Sequence, residues 1–470
     1  MSQYRIERDS MGEVAVPVKA LYGAQTQRAV ENFPISGRSI PRRMIGAMGL
    51  IKKSYARINR EMGGLEERAA AAIVRASDEV ARGDHDGEFV VDVFQTGSGT
   101  SSNMNANEVI ANRAILILGG ELGSREIHPN DHVNRGQSSN DIIPTVLHVA
   151  AFSALRADLL PALEALAASL EEKERAFDGI VKIGRTHLQD AVPIRLGQEF
   201  SGYAAQVRKG MDRLKAVEPR LAELALGGTA VGTGLNAPEE LPEKVITLLA
   251  EETALPLVQN PNLFEALASK DALVEASGAL RTLSVSLTKI AEDIRWLGSG
   301  PRCGLGEIRI PDLQPGSSIM PGKVNPVMSE MMLMVCARVQ GNDLTTSLCG
   351  QGGRFELNVM MPVLGACLLE SIEILSGACR TFASRCVDGI EPDAARCEEM
   401  VERSLALVTA LAPVLGYDRA AGVAKEAYSS GRTVREICEA DDILPASQLQ
   451  RLLDPRKMTG TSRPLPKTRR

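Results

Sequence analysis

A mainly helical fold of more than one domain is what this sequence predicts, and three observations carry the prediction. Aromatic residues make up 3% of the chain, with a single tryptophan, Trp296. The core must therefore be built from Ala, Leu, Ile, Val and Met, a set weighted towards helix formers, and an all-β architecture is not expected. Apolar residues recur at steps of three and four over long stretches, the spacing of a buried helix face. The length of 470 residues exceeds what one hydrophobic core usually organises, so two or three domains are expected. Hydrophobic residues at 44% and charged residues at 24% are ordinary globular usage and argue against disorder.

In chain order, helical runs are expected near 40–62 and 66–82, beside Gly/Ser/Asn-rich stretches. The middle third carries the strongest periodicity. One series runs Leu155, Leu159, Leu163, Leu166, Leu170, and a second runs Tyr203, Val207, Met211, Leu214, Val217, Leu221, Leu224. A third, Leu273, Ala276, Leu280, Leu283, Leu287, Ile290, Ile294, Leu297, is a heptad-like seam about 37 Å long at helical rise. Met328, Met331, Met332, Val335, Val339 and then Leu364, Leu368, Ile372, Leu375, Cys379, Phe382 complete the set. Five such helices, parted by Gly- and Pro-containing breaks, read as a long bundle whose Met and Leu stripes are core. Shorter helices follow Pro392. A tail with Arg456, Lys457, Arg463, Lys467, Arg469 and Arg470 reads as a solvated terminus, or alternatively as an arm for an anionic partner.

Charge and cysteine usage exclude several classes of function. The 53 basic and 59 acidic residues leave a net charge of −6, which makes no case for nucleic acid or an anionic membrane as partner. The eight cysteines all fall between Cys303 and Cys438 without a C-x-x-C pair, and there are only five histidines, so a zinc framework is not expected. Scattered reduced thiols suit a cytoplasmic protein. The first residues, MSQYRIERDSMGEV, do not read as a secretory signal, and no run approaches about 18 uninterrupted apolar residues, so no membrane span is expected.

Four polar clusters interrupt the helices, and each has the composition of an anion holder. The first is Thr96-Gly97-Ser98-Gly99-Thr100-Ser101-Ser102-Asn103, with a helix expected to begin near Asn105. Glycines allow close approach, hydroxyls donate, and a helix N-terminus favours a carboxylate or phosphate. On its own the stretch also reads as a hydroxyl-rich helix cap; it is neither a Walker loop nor a dinucleotide fingerprint. The second joins Arg125, His128, Pro129, Asn130 and Asp131 to Gln137-Ser138-Ser139-Asn140-Asp141, and the serines either cap a helix or bind a carboxylate. The third, Gly184-Arg185-Thr186-His187-Leu188-Gln189-Asp190, offers a histidine fit to pass protons, or one with a structural role. The fourth is Pro315-Gly316-Ser317-Ser318-Ile319-Met320-Pro321-Gly322-Lys323-Val324-Asn325-Pro326, followed by Glu330. Three prolines forbid a helix there, and Lys323 with Asn325 suits an anionic substrate.

The stretch GSSIMPGKVNP resembles the signature of the fumarase/aspartase superfamily, and the likeness covers nearly the whole chain. QTGSGTSSNMNANEVIANRA, HPNDHVN, QSSND, GRTHLQDA, LGGTAVGTGLN, RWLGSGPRCG and FELNV are similar to class II fumarases in particular. Aspartases, the near relatives, usually carry Gln where this chain has His187, and a GGAGT-like stretch at Thr96 to Thr100.

The resemblance implies reversible hydration of fumarate to (S)-malate, a step of the tricarboxylic acid cycle, by anti addition through an aci-carboxylate intermediate. It implies Ser317 as the base for the C3 proton, His187 as the residue that activates water, and Glu330 as the partner of His187. Lys323, Asn325 and Ser318 match positions that hold the charge-gathering carboxylate, where preorganised donors are worth about 3 kcal/mol each. Ser98, Gly99, Thr100, Ser138, Ser139, Asn140, Thr186 and Val324 match further substrate-binding positions. Arg125, His128, Pro129, Asn130 and Asp131 match a second dicarboxylate site. No metal or organic cofactor is implied. The implied fold has three largely helical domains, at 1–137, 138–395 and 396–470. The central five-helix bundles of four chains form one core, and each active site draws the 128–145, 182–200 and 317–330 regions from three subunits. Two competing readings stand beside this one: a lyase acting on aspartate or another fumarate-yielding compound, and a member kept for binding or structure without turnover.

Overall fold

A computed structural model describes residues 3–460, so Arg463, Lys467, Arg469 and Arg470 of the basic tail lie outside the described residues. The chain divides into two compact units. One comprises Met1–Pro161, Gly210–Val285 and Val335–Gly377, the other Ala162–Lys209, Ser286–Met334 and Ala378–Arg470. The division falls within each of five long helical runs: Ser139–Ala176, Leu196–Leu221, Asp271–Leu297, Val327–Gly350 and Met361–Arg385. These are the five helices that the apolar spacing predicts. The first is continuous through a π-helical turn at Leu155–Leu159.

Burial follows the spacing closely. All eight residues of the seam from Leu273 to Leu297 are buried, as are the series from Tyr203 to Leu224 and from Leu364 to Phe382. At about 25 cal/mol per Å² of apolar surface removed from water, such seams supply the main driving force for each helix to pack. The Val327–Gly350 helix departs from the pattern: Met332 and Val339 are buried, but Met334, Leu344 and Leu348 are more than half exposed. Two runs, Ser139–Ala176 and Met361–Gly389, are long and apolar enough on average to cross a membrane, though neither is an uninterrupted apolar stretch. In each run 61% of the most apolar 18-residue stretch is buried within the protein, which is the position of a core helix.

In the first unit a hairpin, Tyr4–Asp9 with Gly12–Pro17, precedes the helices Ala24–Asn32, Arg42–Glu61, Glu67–Arg82 and Thr100–Ile117. The second and third of these match the runs expected at 40–62 and 66–82. They approach closely at Gly49, where a Cβ would lie 2.6 Å from the Ala81 backbone nitrogen, so only glycine fits. In the second unit the antiparallel strands Val181–Thr186 and Gln189–Arg195 form a hairpin. Its Ile183 shares a buried cluster with Val401, Leu407, Val434 and Ile437 from the helices after Pro392. Among the described residues the strands make only two-stranded ladders, so the architecture is mainly α, as expected.

Within the first unit, Glu79 of one helix accepts hydrogen bonds from Arg113 of another and lies 3.0 Å from His85 Nε2. The Arg113 guanidinium, with His85 after it, holds the carboxyl at about 2 against an ordinary 4.5. The folded form thus sheds this proton more readily than the unfolded chain. The stabilisation is complete above about pH 4.5 and is lost as pH falls towards 2. Glu79→Gln is expected to cost about 1.5–3 kcal/mol at pH 7, with the difference shrinking at pH 3. Denaturant midpoints at the two pH values test this, and equal midpoints at pH 7 would refute it.

Candidate active site

The first polar centre belongs to the first unit. The Thr100–Ile117 helix begins five residues before the expected Asn105, because Gly99 takes a left-handed φ of 73° and serves as its N-cap. Thr100, Ser101 and Ser102 therefore sit in the first helical turn, and Gln95 Oε1 accepts the Ser102 N–H at 2.9 Å. Gly97 pairs with the 359–361 segment: its carbonyl accepts from the Met361 N–H, and a Cβ on it would stand 1.6 Å from the Val359 oxygen. This fixes buried Ser98, whose hydroxyl lies 2.8 Å from Thr100 Oγ1, which in turn lies 2.7 Å from Ser139 Oγ. Two of the predicted clusters thus meet in one chain of hydroxyls.

Ser138 is the N-cap of the Ser139–Ala154 helix. Its hydroxyl accepts the Asn140 N–H, and the Asp141 carboxylate accepts the Ser138 N–H, forming a capping box. Capping, one of the two readings left open, therefore describes Ser138, while Asn140 Nδ2 donates to the Ala230 carbonyl at 2.7 Å. Asp141 is buried and also accepts the Gly227 and Thr229 N–H groups, at 3.2 and 3.0 Å. Burial pushes its carboxyl up to about 6, against the pull of those three N–H donors and of Lys52.

Lys52 was not singled out by sequence. It is fully buried, and its Nζ donates to Asn103 Oδ1 (2.9 Å), Asn134 Oδ1 (2.9 Å) and Gln137 Oε1 (2.8 Å). Burial lowers it to about 7, opposed by the Asp141 charge. Three amide oxygens match the three N–H groups of an ammonium, so the geometry is built for the charged form. The available signal was its place among Met44, Met48, Ile51, Tyr55 and Ile58, the buried face of the helix.

Arg125, His128, Pro129 and Asn130 line a cavity of about 270 Å³, with Arg8, Glu7, Asp9 and Glu108; Asp131 lies outside the lining. Its carboxylates are already engaged: Glu7 by Arg5, Asp9 by Arg28, and buried Glu108 by the N–H groups of Gly23, Gln25 and Thr26. His128 Nδ1 lies 3.1 Å from the Asp131 carboxylate and accepts the Asn130 and Asp131 N–H groups.

The second polar centre belongs to the second unit. Thr186 pairs with Gln189, which makes His187 and Leu188 a two-residue turn at the tip of the hairpin. Both take positive φ, 57° and 60°, as a two-residue hairpin turn requires, at a cost of about 1–3 kcal/mol each for non-glycine residues. The hairpin is anchored by wholly buried Glu307, which accepts from Arg185 at 3.0 Å and pairs with Lys182 at 3.2 Å. Thr186 and His187 are exposed, and Leu188 is 71% exposed.

The 315–326 segment is non-helical, as its prolines require, and it closes on itself. The Gly316 N–H donates to the Lys323 carbonyl (2.8 Å), the Lys323 N–H to the Met320 carbonyl (3.2 Å), and Asn325 Nδ2 to the Gly316 carbonyl (2.7 Å). Ser317 Oγ accepts two backbone N–H groups, from Ile319 at 3.2 Å and Met320 at 2.9 Å. Ser318, Lys323, Val324 and Glu330 are exposed; Glu330 lies in the first turn of the Val327–Gly350 helix. Among the described residues, no hydrogen bond joins Glu330 to His187.

The helical fold is that of a lyase. The lyase family matches residues 12–341, and the family of fumarase C C-termini matches residues 407–460. A class II fumarate hydratase of Ralstonia nicotianae is 54% identical over 97% of this chain and 99% of its own length. One of Halobacterium salinarum is 56% identical over 97% of each chain. The crystal structure of a class II fumarase from Schistosoma mansoni superposes with a TM-score of 0.94 at 39% identity, covering 97% of this chain and 99% of that one. The chain belongs to the class II fumarase family of the fumarase/aspartase superfamily.

Gly97→Ala tests the architecture of the hydroxyl chain. The added carbon must displace the Val359 carbonyl, and overpacking of this kind costs about 1–3 kcal/mol. A lowered melting temperature is expected by calorimetry; an unchanged one would mean that the turn is not held against that segment.

Proposed function

We propose that this chain catalyses the reversible hydration of fumarate to (S)-malate, with Ser317 as the base and His187 as the residue that handles water. The observation that carries the role of Ser317 is the pair of N–H groups at its hydroxyl oxygen. A serine is a poor base unless its anion is stabilised, and two backbone donors with the Lys323 cation in the same closed loop supply that stabilisation. In the dehydration direction the alkoxide of Ser317 takes the C3 proton, and the electron pair passes to the adjacent carboxylate. Lys323, Asn325 and Ser318 gather that charge, with Val324 carried between them. The C2–O bond then breaks as protonated His187 gives its proton to the departing hydroxyl, so that water leaves and fumarate remains. Glu330 orients the imidazole and raises its basicity.

Ser98, Gly99, Thr100, Ser138, Ser139, Asn140 and Thr186 hold the dianion by neutral donors. Arg125, His128, Pro129, Asn130 and Asp131 form a second dicarboxylate site. The active assembly is a homotetramer in which three subunits supply each site. The exposure of His187, Lys323 and Glu330 in the single chain supports this, as do the uncovered Met334, Leu344 and Leu348. The three-domain division at 1–137, 138–395 and 396–470 belongs to the same reading. A cytoplasmic location does too, since Cys303, Cys349, Cys367, Cys386, Cys397 and Cys438 are free thiols.

Absorbance from fumarate is expected when the protein is given malate and not when it is given aspartate; the reverse outcome would move the activity to a related lyase. Ser317→Ala is expected to lower kcat severely, and His187→Asn by about 10²–10⁴-fold, with the fold intact by circular dichroism. Near-normal turnover in either variant would remove its role. Those two variants carry lesions in segments assigned to different subunits, so mixed tetramers of them should regain part of the activity. Mixed tetramers with no regain would count against shared sites.

A further inference from the structure

The Lys52 ammonium lies at the centre of a buried amide cluster that touches both segments of the hydroxyl chain. Asn103 stands in the same helix as Thr100, and Gln137 immediately precedes Ser138. Each oxygen that Lys52 engages belongs to an amide whose nitrogen is committed elsewhere. Asn103 Nδ2 donates to Asn134 Oδ1 (3.2 Å), Asn134 Nδ2 to the Gln137 carbonyl (3.2 Å), and Gln137 Nε2 to the Val133 carbonyl (2.9 Å). Asn107 Nδ2 also donates to Asn134 Oδ1, at 3.1 Å. The ammonium therefore ties together three amides, each of which is also held through its nitrogen. An apolar side chain at this position would leave Asn103 Oδ1 and Gln137 Oε1 short of a donor, while Asn134 Oδ1 would keep the Asn103 and Asn107 amides. Burying an ion is an expensive way to gain stability alone, since a packed apolar residue serves that end as well or better.

We propose that Lys52 is a positioning residue for dicarboxylate binding. It fixes the 134–138 segment against the first turn of the Thr100–Ile117 helix, and so sets the spacing of Ser98, Thr100, Ser139 and Asn140. The inference rests on those four residues holding a substrate carboxylate. Contacts to a carboxylate that does not react are made equally in ground state and transition state, so their loss raises KM more than it lowers kcat.

The test is Lys52→Met, which keeps length and removes the donors. Binding of succinate, a saturated C4 dicarboxylate, is measured by calorimetry, and malate kinetics are measured in parallel. The expected result is at least about tenfold weaker succinate binding and a KM raised by a similar factor, with kcat changed by less than about threefold. Gln137→Met, which frees one segment and leaves Lys52 two acceptors, should show the same split with a smaller rise, and it stands in if Lys52→Met fails to fold. A lowered melting temperature with unchanged succinate affinity in the folded variant would overturn the inference and leave Lys52 a stability residue. A wild type that binds succinate but does not turn over malate would defeat the hydratase reading alone. A wild type that neither binds succinate nor turns over malate would defeat both.

Discussion

Charges taken out of water must find partners, and several of the buried charges in this chain are met by neutral dipoles rather than counter-ions. Buried Asp141 is met by three backbone N–H groups, buried Glu108 by three more, and the Lys52 ammonium by three amide oxygens. Ser317, which must become an anion to act as a base, has two N–H groups at its oxygen. Dipoles fixed by the fold stabilise a charge without neutralising it, and they need no reorganisation when charge develops or leaves. For a substrate with two carboxylates this matters. A site lined by paired ions would present as much repulsion as attraction, whereas fixed donors act on any carboxylate that displaces water from them.

Glu307 shows where true ion pairing is used instead. It is wholly buried, and both Arg185, next to the closing pair of the hairpin, and Lys182, near its base, meet it. The ion pairs set the frame, and the turn bearing His187 projects from it with two non-glycine residues at positive φ. An unusual backbone of this kind persists only where surrounding contacts over-determine it.

Much of the fold was legible because helix burial imposes a period, and each of the five long series lies on a helix, except that Leu224 falls in a short strand beyond the helix end at Leu221. The start of the Thr100–Ile117 helix was missed by five residues: a left-handed glycine N-cap lets hydroxyl residues enter the first turn, where composition alone suggests a loop. The hairpin under His187 was not legible, since His-Leu lacks the Asn-Gly or Asp-Gly signal of a two-residue turn. Among site residues, the clusters at 96–103, 137–141 and 315–326 were visible from their density of glycine, hydroxyl and proline. Lys52 was not, because a lysine inside an apolar helix face is identified only by its partners, and those lie 51, 82 and 85 residues further along the chain.

The two polar centres differ in how they are held, and the difference matches the work assigned to each. The hydroxyl chain around Ser98, Thr100 and Ser139 is backed by the Gly97 contact, a capping box and an amide cluster, so its spacing cannot change without breaking several buried hydrogen bonds. The Ser317 segment is held chiefly by short-range bonds within itself, between exposed and half-buried residues. A closed loop of that kind can move as one piece while keeping its two N–H groups on the serine oxygen. Recognition of a rigid dianion calls for fixed spacing, whereas proton abstraction calls for a group that arrives with water excluded and its own anion already stabilised. Under the proposed roles, placing the first task on buried helix ends and the second on a self-bonded loop would let substrate bind without dismantling the base.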